Sequence, residues 1–154
     1  MKLFIDLDNV VYKYAEAHAA EYCAKTNPYP QSRVGFFKEL KLYPNAVEVI
    51  KKLAGKHDVY FLTAPSIKNL HCWSEKAFSI ERDFGEEYLE RLVITSNKGL
   101  LRKPYDTLNP DNRTMLIDDH NQGGGREEFF VQGDMYWFAG KDADWLKVAN
   151  FFYV

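Results

Sequence analysis

Apolar residues in this chain fall into two patterns. Short unbroken runs occur at Leu3-Phe4-Ile5, Val59-Tyr60-Phe61-Leu62, Leu92-Val93-Ile94 and Met115-Leu116-Ile117, and each is too short for a helix and bounded by turn-forming or polar residues. They predict strands buried on both faces. Between them, apolar positions recur at helical spacing. An Ala-rich helix is expected over 10–26, broken by Asn27-Pro28-Tyr29-Pro30. A second opens at Pro44-Asn45, with Asn45 as cap and Glu48 in the capping-box position. It carries the stripe Ala46, Val47, Ile50, Leu53 and Ala54 and stops at Gly55. A third carries Trp73, Ala77, Phe78 and Phe84, a short one covers 86–91, and the last runs from about 143 to 152 through Trp145, Leu146, Ala149 and Phe152. From Gly99 to Arg113 no period holds. Glu128 to Val131 and Tyr136 to Phe138 are expected as edge strands.

Strands that are almost wholly apolar and alternate with helices predict an α/β fold: a three-layer, Rossmann-like parallel sheet with helices on both faces. The whole chain, 1–154, is expected to form one domain, with a small helical insertion at about 14–42 that includes Phe36 and Phe37. In such sheets ligands bind outside the carboxyl ends of the strands. Asp6 and Asp8, Thr63, Lys98, and Asp118 with Asp119 each follow the end of a different strand, so they are expected to converge there.

Composition narrows the partner. With 20 Lys+Arg against 22 Asp+Glu and a net charge of -2, the chain has no basic field for a polynucleotide backbone, and a small molecule is expected instead. Cys23 and Cys72 form no metal-ligand or redox pattern and are expected as free thiols in a cytosolic protein. No leader and no spanning apolar run is read, so no membrane partner is expected, and the location is read as cytoplasmic. Oligomeric state is not legible.

Two carboxylates at the end of a buried strand are costly unless a cation lies between them, and a hard ion such as Mg²⁺, which takes a few carboxylates plus water and phosphate, suits them. Thr63 could donate to a phosphoryl oxygen and Lys98 could neutralise it. Asp6 could then attack phosphorus, and Asp8 could protonate the leaving oxygen and later activate water. Each residue alone has a plain structural alternative. Thr63 and the Asp118-Asp119 pair could be helix caps, Lys98 a solvated charge, and the Gly123-Gly124-Gly125 run a mobile loop rather than a phosphate cradle. His120 is a further candidate for substrate contact.

Phe4-Ile5-Asp6-Leu7-Asp8-Asn9-Val10-Val11, Leu62-Thr63, Lys98 and Ile117-Asp118-Asp119 resemble, in order, the four motifs of the haloacid dehalogenase (HAD) superfamily. Within it, Phe36-Phe37-Lys38-Glu39-Leu40, Pro44-Asn45-Ala46-Val47-Glu48, Phe61-Leu62-Thr63-Ala64-Pro65 and Ile94-Thr95-Ser96-Asn97-Lys98 are similar to stretches of the 5'(3')-deoxyribonucleotidases. The resemblance implies a HAD-type phosphatase with a small helical cap, using Mg²⁺, Asp6 as nucleophile and Asp8 as acid and base. Asp6 and Asp118 would hold the metal by side chains, Asp8 by its carbonyl, and Asp119 through water or by supporting the ligands. Thr63 and Lys98 would hold the phosphate, and Tyr14 and Phe37 would stack on a base, unless those aromatics only pack the insertion. The implied substrate is a nucleoside monophosphate, a 5'- or 3'-deoxyribonucleotide. A sugar phosphate or other small phosphomonoester is the alternative, as is a silent phosphate-binding module. The chain departs from the pattern in having Asn9 where glycine is usual, a shorter cap, and a longer stretch from Lys98 to Asp118, which makes Lys103 a second candidate for the phosphate lysine.

Overall fold

The computed structural model describes residues 1–103, 112–131 and 133–154. Five strands, β1 (Lys2–Ile5), β2 (Asp58–Thr63), β3 (Leu92–Ile94), β4 (Thr114–Asp118) and β5 (Met135–Trp137), form one sheet in the order β3-β2-β1-β4-β5. All four pairings are parallel, with Ile5 opposite both Phe61 and Ile117. This is the Rossmann-like α/β sheet that the apolar runs predicted. Strand order reverses at β1 and β4, so the crevice outside their carboxyl ends is the ligand-binding position of such a sheet. Asp6 and Asp118 stand there.

Alternate residues of the strands feed two cores. Leu3, Ile5, Val59, Phe61, Met115 and Ile117 face three helices: α2 (Ala46–Ala54), α3 (Cys72–Phe84) and the C-terminal helix, here α5 (Asp144–Phe152). Phe4, Leu62 and Leu116 face Phe129 of α4 (Glu127–Phe130), with Leu101 packed alongside. Helices therefore lie on both faces, unevenly among the described residues. Each buried Leu, Ile or Phe contributes about 1.5–3 kcal/mol relative to exposure.

Several local expectations are corrected. The first helix, α1, runs only over Tyr14–Glu21. Asn9 takes a left-handed conformation (φ 60), and the amides of Val11 and Tyr12 both donate to the carbonyl of Leu7 at 2.9 Å, so the chain turns tightly before a helix can start. Asparagine tolerates that conformation better than most residues, which is how a side chain replaces glycine here. Asn45 precedes α2 at φ 64, but its side chain makes no capping bond, and Glu48 pairs with Lys52 instead. In α3, Trp73 and Phe78 are exposed, and the buried stripe is Cys72, Glu75, Lys76, Ser79, Ile80 and Phe84. In α5, Leu146 is exposed and Val148 is buried with Trp145 and Phe152. Residues 128–131, expected as a strand, belong mostly to α4: Phe129 packs inward while Phe130 stays exposed, and Glu127 and Glu128 lie in its first turn, where acids suit the helix dipole. The second edge strand is β5, one residue earlier than expected. Residues 104–111 of the irregular connection lie outside the described residues.

The segment after α1 folds as short 3₁₀ turns at Pro30–Ser32 and Phe37–Glu39. Phe36, Phe37 and Leu40 enter the larger core. Buried Glu75 of α3 holds the segment down by accepting from the amides of Gly35 (2.6 Å) and Phe37 (3.0 Å). No helix among the described residues is long and apolar enough to cross a membrane.

Candidate active site

A cavity of about 180 Å³ opens at the carboxyl edge of β1, β2 and β4, lined by Asp6, Asp8, Asn9, Tyr14, Ala64, Asp119, His120 and Arg126. Asp6 follows β1 directly, and Asp118 is the last residue of β4, so the parallel register brings both carboxylates to the same edge. Lys98, buried in a 3₁₀ turn beyond β3, donates to both: its Nζ lies 2.7 Å from Asp6 Oδ1 and 2.6 Å from Asp118 Oδ2. Lys103 does not share this position. Its amide donates to the hydroxyl of Thr114, the first residue of β4, and it lines a separate cavity with Lys2 and Asp58 at the amino ends of the strands.

Two cations that the sequence reading passed over complete the arrangement. Lys76, buried in α3, sends Nζ to Asp8 Oδ2 (2.8 Å), Thr63 Oγ1 (2.7 Å) and the carbonyl of Ala64 (2.8 Å), and its ammonium lies 5.1 Å from the centre of the Phe37 ring. Arg126 places Nε 2.9 Å from each oxygen of Asp118, and its Nη2 is 3.9 Å from Asp6 Oδ2. The signal for Arg126 was its position directly after the glycine run. That run packs on the Lys98 turn: the amide of Lys98 donates to the carbonyl of Gly124 at 2.6 Å, and Gly123, Gly124 and Gly125 all have positive φ. The signal for Lys76 was a lysine on the apolar side of an amphipathic helix.

Burial acts on the two reactive acids in one direction and the cations in the other. For Asp6, burial raises the carboxyl, but Lys98, Lys76 and Arg126 outweigh it and hold the group below its ordinary value. For Asp8, burial again raises it, the neighbouring charge of Asp6 adds to that, and Lys76 only partly offsets them, leaving it above the ordinary value. Unlike environments thus displace two carboxyls two residues apart in opposite directions. Asp118 is raised by burial and by Asp6, and Asp119 is pushed up to about 6 by the same causes.

Asp6, Asp118 and Asp119 each offer a carboxylate oxygen, all within 4.8 Å of one another, a donor set of hard oxygens suited to a divalent cation. Asp119 accepts from Asn9 Nδ2 at 3.3 Å through Oδ2, while its Oδ1 is buried without a partner. A buried oxygen in that state fits a cation or its water.

The remaining candidates lie around this centre. Thr63 is buried with its hydroxyl engaged by Lys76, and neither lines the cavity. Tyr14 lines it, whereas Phe37 is buried behind, with its ring 6.1 Å from that of Tyr14, a separation of rings in direct contact. His120 donates its amide to Asp118 Oδ1 at 2.9 Å and its ring lies 3.3 Å from Asp119 Oδ2, largely exposed. A larger cleft of about 680 Å³, between Tyr43, Trp137 and Phe138, adjoins the site through Asn9 and Asp119.

A parallel sheet whose strand ends gather two separated acids, a bridging lysine and a terminal aspartate pair is a Rossmann-like α/β arrangement, consistent with the HAD fold. Comparison with known proteins gives the relatives. The chain is 29% identical over 96 residues to the cytosolic 5'(3')-deoxyribonucleotidase of Homo sapiens, a match covering 61% of this chain and 43% of that protein. It is 33% identical over 94 residues to the mitochondrial 5'(3')-deoxyribonucleotidase of Mus musculus, covering 60% and 38%, and 33% identical over 94 residues to the human mitochondrial form, covering 60% and 37%. The chain thus matches less than half the length of these relatives. No family model matches it. Over about three fifths of its length the chain is similar to proteins named 5'(3')-deoxyribonucleotidase, the family whose stretches its motifs resemble.

Proposed function

We propose that the chain is a Mg²⁺-dependent phosphatase that hydrolyses nucleoside monophosphates, 5'- or 3'-deoxyribonucleotides among them, through an aspartyl-phosphate. The observation that carries this reading is the gathering of Asp6, Asp118 and Asp119 within 4.8 Å of one another around Lys98, beside the cavity that Asp6 and Asp8 line. Asp6, ionised, attacks phosphorus. Asp8, retained as an acid, gives its proton to the leaving oxygen, then takes one from the water that attacks the aspartyl-phosphate. Lys76 keeps Asp8 oriented, and Lys98 holds Asp6 against Asp118. Asp6 and Asp118 would hold Mg²⁺ by side chains and Asp8 by its carbonyl, with Asp119 supporting. The ion, when bound, screens the approach of one anion to another. Thr63 and Lys98 contribute to the phosphate environment from beneath the carboxylates, and residues 14–42 form a reduced cap whose Tyr14 faces the substrate.

The relatives' names support a nucleotide as substrate. The direct contact of Tyr14 with Phe37, which leaves no slot for a base between them, favours a second reading in which a sugar phosphate or another compact phosphomonoester is turned over. One assay separates them: phosphate release with Mg²⁺ from a panel of 5'- and 3'-deoxyribonucleotides, ribonucleotides and sugar phosphates. Preference for deoxyribonucleotides supports the first reading, and equal or faster release from sugar phosphates replaces it with the second. No release from any member defeats both.

A further inference from the structure

Three cations neutralise four acids at this site, yet they are not equivalent in position. Lys98 and Lys76 are buried beneath the carboxylates and do not line the cavity; Arg126 does. Any phosphoryl group within attacking distance of Asp6, about 3 Å, therefore meets the Arg126 guanidinium first. That guanidinium is meanwhile committed elsewhere. Asp118 accepts from Arg126 Nε on both oxygens, from Lys98 Nζ on Oδ2 and from the amide of His120 on Oδ1, so no oxygen of this carboxylate is free. A divalent ion seeking Asp118 must displace a donor, and Lys98 is fixed by its second bond to Asp6. Arg126 is the one that can leave. Its other bond runs from Nη1 to the carbonyl of Gly123 (3.2 Å) in the adjoining loop and not to a second acid, its side chain is long, and its Nη2 already lies 3.9 Å from Asp6.

We infer that Arg126 is a second phosphate-binding residue that competes with the metal: it occupies Asp118 when the site holds neither metal nor phosphate, and it moves to the phosphoryl oxygens when metal binds. The fork of the guanidinium matches two phosphoryl oxygens as well as it matches a carboxylate, and the transfer removes a like charge from beside the ion. Metal and phosphate binding are thereby coupled through one side chain. The inference rests on the phosphatase reading above and deepens it by adding a residue that faces the transferred group.

Calorimetric titration of the full chain tests it with Mg²⁺ and inorganic phosphate, independently of turnover. Arg126→Ala is expected to bind Mg²⁺ more tightly, and to bind phosphate at saturating Mg²⁺ more weakly, each by about tenfold. Arg126→Lys is expected to recover opposition to the metal more than affinity for phosphate, because a point charge lacks the fork. A role that was only structural would weaken both ligands together, and that result, or no change in either affinity, overturns the inference. A measurement on the unaltered protein covers the case of a variant that fails to fold. The Arg126 Nε–H resonance is expected to shift when Mg²⁺ is added and again when phosphate follows; a resonance indifferent to both overturns it. If the wild type hydrolyses no phosphomonoester but the opposed affinities are found, the phosphatase reading falls and the competition stands.

Discussion

The floor of the site and the segment above it are built on different principles. At the floor, both lysines are buried and held by several partners: Lys98 bridges Asp6 and Asp118, while Lys76 spans Asp8, Thr63 and a backbone carbonyl. Above it, α1 buries no residue, and its aromatic ladder from Tyr14 through His18 to Tyr22, with centroids 5.7 and 5.6 Å apart, lies along the surface. The Arg33 pairs to Glu21 and Glu39 are likewise exposed. The contrast sets over-determined geometry at the strand ends against a helix that lies on the surface above them. Glu75 is the main polar tie between the two regions, since it sits in α3 one residue before Lys76 and accepts from the amides of Gly35 and Phe37.

Breaking the floor should have the largest effect. On the proposed mechanism Asp6→Asn removes the nucleophile and leaves the sheet intact, so phosphate release is expected to fall by about 10⁴-fold or more while circular dichroism stays native. Retained activity in that variant would rule Asp6 out as nucleophile. Next, Lys76→Met removes the ammonium that Asp8, buried Thr63 and the Ala64 carbonyl share and should cost about 1–3 kcal/mol in denaturant unfolding. A loss below about 0.5 kcal/mol would mean that Thr63 and the Ala64 carbonyl find other partners when the ammonium is gone.

Changes at the tie and above it should be smaller and differently distributed. Glu75→Gln weakens two charge-assisted bonds to the backbone and is expected to cost about 1–2 kcal/mol, raising KM more than it lowers kcat. An effect confined to kcat would put Glu75 with the floor. Arg33→Ala should change stability by less than about 1 kcal/mol, since exposed pairs are screened. Finally, the two thiols separate the regions by reactivity alone. Exposed Cys23, lowered to about 7 chiefly by hydrogen bonding with Thr26, should alkylate faster as pH rises through that value, whereas Cys72, buried and raised, should stay unmodified in the native state. Equal rates at the two sites would show the floor to be more open than its burial indicates.

Much of this was legible in the residues themselves. Four of the five strands announced themselves as apolar runs bounded by polar residues, and their alternation with helices implied the parallel sheet and therefore the edge at which Asp6, Asp8, Thr63, Lys98, Asp118 and Asp119 gather. Those inferences rest on local periodicity, which burial imposes on consecutive residues. Phe129 and Phe130 show its limit, because two aromatics in four residues fit a strand as readily as the one-turn helix that buries only Phe129.

Only the tertiary structure decided which cation serves which acid. Lys76 and Asp8 are 68 residues apart and Lys98 and Asp118 are 20 apart, and although the apolar side of a helix marks Lys76 for burial, no local pattern names the acid that either lysine meets. The same holds for Arg126, which reaches Asp118 because the glycine loop docks on the Lys98 turn. The order of strands and the list of acids are properties of short stretches of chain. The protonation state of each acid depends on charges brought within a few ångströms by the fold, since Coulombic and desolvation effects act through space and not along the chain.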